Sequence, residues 1–111
     1  MTRNVLDTAI TKYEREFNIS ETVKLITNSG PIFFSWGVSK FFYLSNKGLL
    51  FKVNGNHHKG YVLITLAWND TYNVYIMSTH GNVKTELNEV YYDMLVDVID
   101  NEIEYVEDYK F

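Results

Sequence analysis

The pattern of apolar and polar positions predicts a sheet between residues 48 and 78, where three apolar runs are separated by short polar segments. The runs are rich in β-branched and aromatic residues, whereas the segments between them contain Gly, Asn and Asp. Apolar runs of this composition predict β-strands, and strands joined by short turns predict an antiparallel meander. We therefore expect residues 49–53, 61–68 and 71–78 to be consecutive strands.

Two further apolar runs precede these strands. Residues 32–36 follow Pro31, and residues 41–44 follow Gly37 after three intervening residues. Proline is tolerated at the first residue of a strand, and a glycine between two runs indicates a bulge or a bend. The sequence thus predicts a meander of four to five strands.

The turn after residue 68 sets the register of the central hairpin. Asn69 and Asp70 predict a two-residue loop. With a two- or four-residue loop, one face of the hairpin contains Val62, Ile64, Leu66, Trp68, Asn73, Tyr75 and Met77, and the other contains Tyr61, Leu63, Thr65, Ala67, Tyr72, Val74, Ile76 and Ser78. A three-residue loop would exchange these faces. Because neither face is polar throughout, we expect cover on both sides, by helices or by a second subunit.

Helices are predicted at both ends of the chain. Apolar residues at spacings of three and four indicate an amphipathic helix over residues 4–17. Residues 20–28 fit a short helix or a strand, and the Asn-Ser-Gly-Pro sequence that follows favours the helix. A longer helix is expected to begin at Thr85 or Asn88 and to end near Glu107. Its apolar face would consist of Val90, Tyr91, Met94, Leu95, Val98, Ile99, Ile103 and Val106.

Together these elements predict the α+β fold class. The expected architecture is an antiparallel meander of four to five strands, flanked by an N-terminal helix and a long acidic C-terminal helix. The 111 residues contain no internal repeat or linker, so we expect a single domain over residues 1–111. A hydrophobic fraction of 46% and an aromatic fraction of 16% supply enough apolar surface for a folded core.

Composition narrows the functional classes. The chain has no cysteine, which excludes disulfides, thiolate metal sites and cysteine nucleophiles. It has neither an apolar run long enough to span a membrane nor a secretory leader, so we expect a soluble cytoplasmic protein that does not bind membranes. No catalytic or cofactor-binding motif stands out, which predicts a non-enzymatic protein without a cofactor.

Charge is distributed unevenly along the chain. Residues 1–85 carry nine Lys or Arg and five Asp or Glu, whereas residues 86–108 carry nine Asp or Glu and no Lys or Arg. Six of these carboxylates would share a sector of about 80° on the predicted C-terminal helix, opposite its apolar face. They are Glu89, Asp93, Asp97, Asp100, Glu104 and Glu107. Like charges one turn apart cost about 0.2 to 0.5 kcal/mol per pair, so helix stability alone does not favour this stripe.

Three interpretations fit the acidic stripe. It is a solvated helix face, a docking surface for a basic partner, or a divalent-cation site formed by Asp93, Asp97 and Asp100. A cation site normally draws oxygen ligands from several segments, which disfavours the third interpretation. The functional hypothesis is therefore docking on a basic protein surface, such as that of a nucleic-acid-binding protein.

The three histidines form a second group of candidate residues. In a meander, His57, His58 and His80 belong to turns at the same end of the sheet, which makes them candidate metal ligands. Ordinary loop histidines are the alternative, because a zinc site needs convergent ligands held by further hydrogen bonds. Direct nucleic-acid binding is not expected, since the aromatic residues between positions 33 and 43 have few lysines beside them.

Small uncharacterised proteins of phages and mobile elements resemble this chain in the order of its apolar segments and turns. The resemblance covers about residues 36 to 103 and is carried by Trp36-Gly37, residues 48–55, residues 59–66, residues 70–74 and residues 90–100. It carries over no functional residue. It implies a genomic setting in which compact, acidic, non-enzymatic inhibitors of host defence proteins are common.

The sequence therefore predicts a protein-interaction module whose acidic C-terminal helix docks on a basic partner. The resemblance implies an inhibitor of a host defence system. Carboxylates at steps of about 4.5 to 6 Å along the helix axis would present charge as a nucleic-acid backbone does. Two alternatives are a structural homodimer with paired aromatic sheet faces and a small metal-dependent enzyme at the histidine end of the sheet.

Overall fold

Five antiparallel strands form one sheet in the order β1-β2-β3-β4-β5. The structure, a computed structural model, describes residues 3–55 and 58–103 of the chain. The strands are β1 (Phe41–Leu44), β2 (Gly48–Asn54), β3 (Lys59–Leu66), β4 (Tyr72–Met77) and β5 (Val83–Val90). Each strand pairs with its neighbour in sequence, so the predicted meander and the α+β class are confirmed.

Four α-helices accompany the sheet in the described residues. They are α1 (Arg3–Ile10), α2 (Ile19–Thr27), α3 (Pro31–Ser35) and α4 (Leu95–Ile103), and a 3-10 turn (Tyr92–Met94) leads into α4. None of these helices is long and apolar enough to cross a membrane.

The turn between β3 and β4 has three residues rather than the predicted two. The N–H group of Ala67 donates to the carbonyl oxygen of Thr71 at 2.8 Å, and the N–H group of Asp70 donates to Ala67 at 3.0 Å. Asp70 has a φ of 67°, the left-handed conformation common at the end of three-residue hairpin loops. The predicted faces were therefore wrong: Val62 lies opposite Ile76, and Leu63 lies opposite Tyr75.

Helix α1 covers one face of the sheet. Val5 and Ala9 are fully buried. They pack on a cluster from β2, β3 and β4 that comprises Leu50, Tyr61, Leu63, Tyr75 and Met77. The predicted helix over residues 4–17 is too long, because α1 ends at Ile10. Next to this end, the Thr11 hydroxyl donates to the Thr8 carbonyl at 2.6 Å, a local side-chain bond that competes with helix continuation.

The segment after α1 is held on the sheet by polar contacts. Arg15 forms an isolated antiparallel bridge with Leu66, and its guanidinium group pairs with Asp70. The Asn73 amide donates to the Glu14 carboxylate at 2.6 Å, so the buried Asn73 side chain has a partner. The two side-chain contacts anchor the segment on the sheet, and the bridge to Leu66 pairs backbone groups that a longer helix would have paired internally.

Helices α2 and α4 cover the opposite face. The ambiguous segment at residues 20–28 is helical, as the sequence favoured, and its cap is Asn18, whose side chain accepts from the Glu21 N–H group at 3.2 Å. Ile26, Ile99 and Ile103 are fully buried against apolar residues of β2, β3 and β4. A homodimer that pairs the sheet faces would have to displace these helices.

Residues 31–35 form helix α3 and not the predicted strand. Pro31 stands at the start of α3, where its missing N–H group leaves no helical hydrogen bond unmade. Gly37, with a φ of 62°, then reverses the chain toward β1. The sequence prediction used the correct preference of proline for a first position, but assigned it to the wrong element.

The long C-terminal helix predicted from Thr85 or Asn88 is also wrong at its start. Residues 83–90 form β5, and helix α4 begins only at Leu95. Along β5, half-buried Thr85 and Leu87 alternate with exposed Lys84, Glu86 and Asn88, which is the period of an edge strand. The end predicted at Glu107 lies outside the described residues.

An aromatic core joins α3 and α4. Trp36 and Phe51 are fully buried, and their rings stack with centroids 6.4 Å apart. The indole Nε1–H group of Trp36 donates to Oδ1 of Asp100 at 2.9 Å, which links the end of α3 to α4 across the core. A buried indole N–H group needs such an acceptor, because leaving it unpaired costs about 1 to 3 kcal/mol.

Replacing Asp100 by alanine should therefore lower the free energy of unfolding by about 1 to 3 kcal/mol, since the Trp36 N–H group loses its acceptor. Urea unfolding measures the change. The matched control is Asp97→Ala, which removes an exposed carboxylate from the same helix and should change stability by less than about 0.5 kcal/mol. Equal losses in the two variants would contradict a specific role of the Trp36–Asp100 bond.

Candidate partner-binding surface

The predicted acidic residues lie on different secondary-structure elements. Glu89 belongs to β5, at an irregularity in the pairing with β4, and has a φ of 56°. Asp93 lies in the 3-10 turn, and Asp97 lies on α4. The prediction that Glu89 shares a helix with the others is therefore wrong, whereas Asp93 and Asp97 remain about one turn apart.

The remaining three residues of the predicted stripe differ from these. Asp100 is half-buried, and its carboxylate accepts the hydrogen bond from Trp36, so it contributes to the fold. Glu104 and Glu107 lie outside the described residues. The structure thus replaces a single helical stripe with carboxylates on a strand, a turn and a helix.

Exposed carboxylates nevertheless follow the chain from β5 into α4. We call Glu86, Glu89, Asp93 and Asp97 the acidic surface, and all four are exposed. No Lys or Arg occurs between residues 86 and 103. The single ion pair within residues 3–55 and 58–103 joins Arg15 to Asp70 and involves none of these four.

Exposed aromatic and apolar side chains lie between the members of the acidic surface. Tyr91, Tyr92 and Met94 are 57%, 64% and 44% exposed. The sequence had placed Tyr91 and Met94 on the buried face of a helix, which is wrong because the helix begins after them. Tyrosine and methionine are enriched at protein interfaces, where a large apolar body contributes most of the contact.

Tyr92 also extends this surface toward α2. It lines a shallow groove of about 480 Å³ together with Glu21, Lys24, Leu25 and Asn28. Apart from the adjacency of Tyr91 and Tyr92 to an aspartate, nothing in the sequence marks these side chains as exposed. Their exposure follows from the change of direction between β5 and α4.

The histidines do not form a site in the described residues. His58 is 4% exposed, and His80 is exposed in the turn between β4 and β5. His57 lies outside the described residues. No group of three His, Cys, Asp or Glu side chains that could hold a metal ion occurs in the described part of the chain.

His58 is buried immediately before β3. Its Nε2 atom lies 3.4 Å from the carbonyl oxygen of Tyr61, and its Nδ1 atom is buried without a hydrogen-bond partner among the described residues. Burial lowers the pKa of His58 below its usual 6.5, and the nearby Lys84 lowers it further. Hydrogen bonds to the backbone of Tyr61 and Met77 and the charge of Glu102 act in the opposite direction. The folded chain therefore favours the neutral imidazole.

Comparisons of the chain with protein-family models, with curated proteins and with solved structures found no match in any of the three.

The depressed pKa of His58 predicts a loss of stability in acid. Above pH 6.5 the imidazole is neutral in both the folded and the unfolded chain, so the contribution of His58 to the free energy of unfolding is fully present. As the pH falls below 6.5 toward the lower pKa of the folded chain, protons bind preferentially to the unfolded chain and stability decreases. Urea unfolding at about pH 7.5 and about pH 5 should show a smaller decrease for His58→Gln than for the unaltered chain.

The control for this prediction is His80→Gln, which changes an exposed histidine at the same end of the sheet. Its stability should fall with pH as much as that of the unaltered chain, because the variant keeps the buried His58. An unchanged acid dependence in His58→Gln would contradict the assignment.

Proposed function

We propose that the chain is a non-enzymatic protein-interaction module whose acidic surface docks on a basic surface of a partner protein. The observation that carries this proposal is the run of residues 86–103, which contains six carboxylates and no Lys or Arg. Asp100 is used within the fold, but the four carboxylates of the acidic surface are exposed and have no cationic partner in the described chain.

Electrostatic arguments favour a docking role for the acidic surface over a role as a solvated surface alone. Mixed charges would keep the chain soluble at a lower cost in repulsion, because like charges one helical turn apart are unfavourable and opposite charges are favourable. A single-sign surface instead attracts a basic partner from a distance and accelerates its association. The exposed Tyr91, Tyr92 and Met94 then supply apolar contact once the partner has docked.

A nucleic-acid-binding protein is the first class of partner to test. Such a protein carries a basic surface that neutralises phosphates, and exposed carboxylates on β5, the 3-10 turn and α4 offer it charges of the same sign. The resemblance to small phage and mobile-element proteins adds a biological setting, in which the partner would be a host defence protein and the chain its inhibitor.

The test compares two triple variants that change the net charge equally. Glu89→Gln, Asp93→Asn and Asp97→Asn remove three charges from the acidic surface, whereas Asp7→Asn, Glu16→Gln and Asp70→Asn remove three exposed charges elsewhere. Proteins retained by the immobilised chain from its native cell are identified, and the purified partner is titrated with each variant. The first variant should bind about tenfold more weakly, at about 0.2 to 1 kcal/mol per exposed charge, and the second should bind normally.

Salt and nucleic acid provide two further measurements on the same partner. Binding of the unaltered chain should weaken as salt rises, and the acidic-surface variant should show a smaller salt dependence than the control variant. Duplex DNA should displace the chain from a nucleic-acid-binding partner. Equal affinities of the two triple variants at every salt concentration would rule out docking through the acidic surface.

A further inference from the structure

Among the described residues, strand β5 is an edge strand whose outer side is unpaired. It runs for eight residues and pairs with β4 on its inner side. Within the described chain, the backbone of residues 83–90 makes no hydrogen bond to any other element. The side chains of Lys84, Glu86 and Asn88 are exposed along it. A free edge of this length presents backbone donors and acceptors at a spacing that another strand can match.

The register shows which backbone groups point outward. Ala67 and Thr71 are joined by a backbone hydrogen bond, and bonded pairs alternate along an antiparallel ladder. Counting from this pair, Val74 and Ile76 of β4 direct their backbone groups toward β5. Their partners are Leu87 and Thr85, whose backbone groups must point inward. The N–H and C=O groups of Glu86, between them, point away from the sheet.

We propose that an extended basic segment of the partner protein binds by adding a sixth, edge strand to β5. This inference rests on the proposed function and specifies how the partner is held. Strand addition lets backbone hydrogen bonds supply affinity, while side chains beside the new strand supply specificity. The outward groups of Glu86 lie at the centre of this edge, and its carboxylate lies beside the position that an added strand would take.

Charge determines which occupant the edge accepts. Glu86 and Glu89 lie on β5, Asp93 and Asp97 follow it directly, and Lys84 is the single cation in residues 83–103. A second copy of the chain would bring the same excess of carboxylates against this edge, and like charges directly opposite each other across a strand pair are destabilising. A segment rich in Lys or Arg places opposite charges there instead. The edge therefore disfavours self-pairing and favours a basic strand.

The test uses a peptide of alternating lysine and threonine, as long as β5, and two versions of it that carry N-methyl groups. One version is methylated on the lysines and the other on the threonines, so each blocks one edge of the peptide. NMR titration should show that one methylated version binds like the parent peptide and that the other binds at least about tenfold more weakly. The amide of Glu86 should become protected from hydrogen exchange on binding, whereas that of Leu87 is protected throughout.

Two substitutions at residue 86 distinguish the effect of the backbone hydrogen bonds of an added strand from the effect of the carboxylate charge. Glu86→Pro removes the outward N–H group and leaves the inward groups of Thr85 and Leu87 in place, and proline is tolerated on edge strands in this orientation. Glu86→Gln removes only the charge. The proline variant should lose at least about tenfold in affinity, and the glutamine variant less than about fivefold. Urea unfolding establishes that both variants are folded, and the methylated peptides test the unaltered chain should the proline variant fail to fold.

The outcomes are distinct from those of the acidic-surface test. Equal binding of the two methylated peptides, or equal losses in the two Glu86 variants, would overturn strand addition while docking through the acidic surface stood. Absence of any binding by the parent peptide would overturn it as well. A dimer in sedimentation that dissociates in Glu86→Pro would show that a second copy occupies the edge, which also contradicts the proposal.

Discussion

Strand β3 is buried on both of its faces, and the arrangement of the helices follows from this burial. Tyr61 and Leu63 lie on the side of α1, whereas Val62 and Ile64 lie on the side of α2 and α4, and none of the four is more than 5% exposed. Burying such side chains contributes about 1.5 to 3 kcal/mol each, but only when another layer excludes water from both sides. The N-terminal helix must therefore cross one face, and the C-terminal helix the other.

The elements that local composition controls were predictable. β-Branched and aromatic runs predicted β2, β3 and β4. The lack of a polar face on the central hairpin predicted cover on both sides of the sheet. The register was not predictable, because one residue decides it. Asn69 and Asp70 suit a two-residue loop as well as the last two positions of a three-residue loop, and the left-handed conformation of Asp70 selects the latter. Sequence composition does not distinguish these two turns.

One part of the candidate site was likewise predictable from the sequence, and the other part was not. The excess of carboxylates after residue 85 is a property of the sequence, so it needed no structure. Their placement depended on whether residues 83–90 are helix or strand, and the local pattern fits both. The pairing with β4 favours the strand, because the outward backbone groups of Val74 and Ile76 find partners in Leu87 and Thr85. Because Tyr91 follows that strand, its side chain is exposed instead of buried on a helix.

The fold uses some of these charges and leaves others unused. Asp100 satisfies a buried indole, and Glu14 satisfies the buried Asn73, so a carboxylate is retained where a buried donor needs it. Glu86, Glu89, Asp93 and Asp97 satisfy no side chain in the described chain, and lysines in their place would reduce repulsion. An edge strand needs charge of some kind to prevent pairing with its own copies, but either sign would serve that purpose. In the proposed docking, a single negative sign continued into α4 would both repel a like copy and attract a basic segment to the same edge. Such pairing of repulsion with attraction is how interfaces acquire specificity.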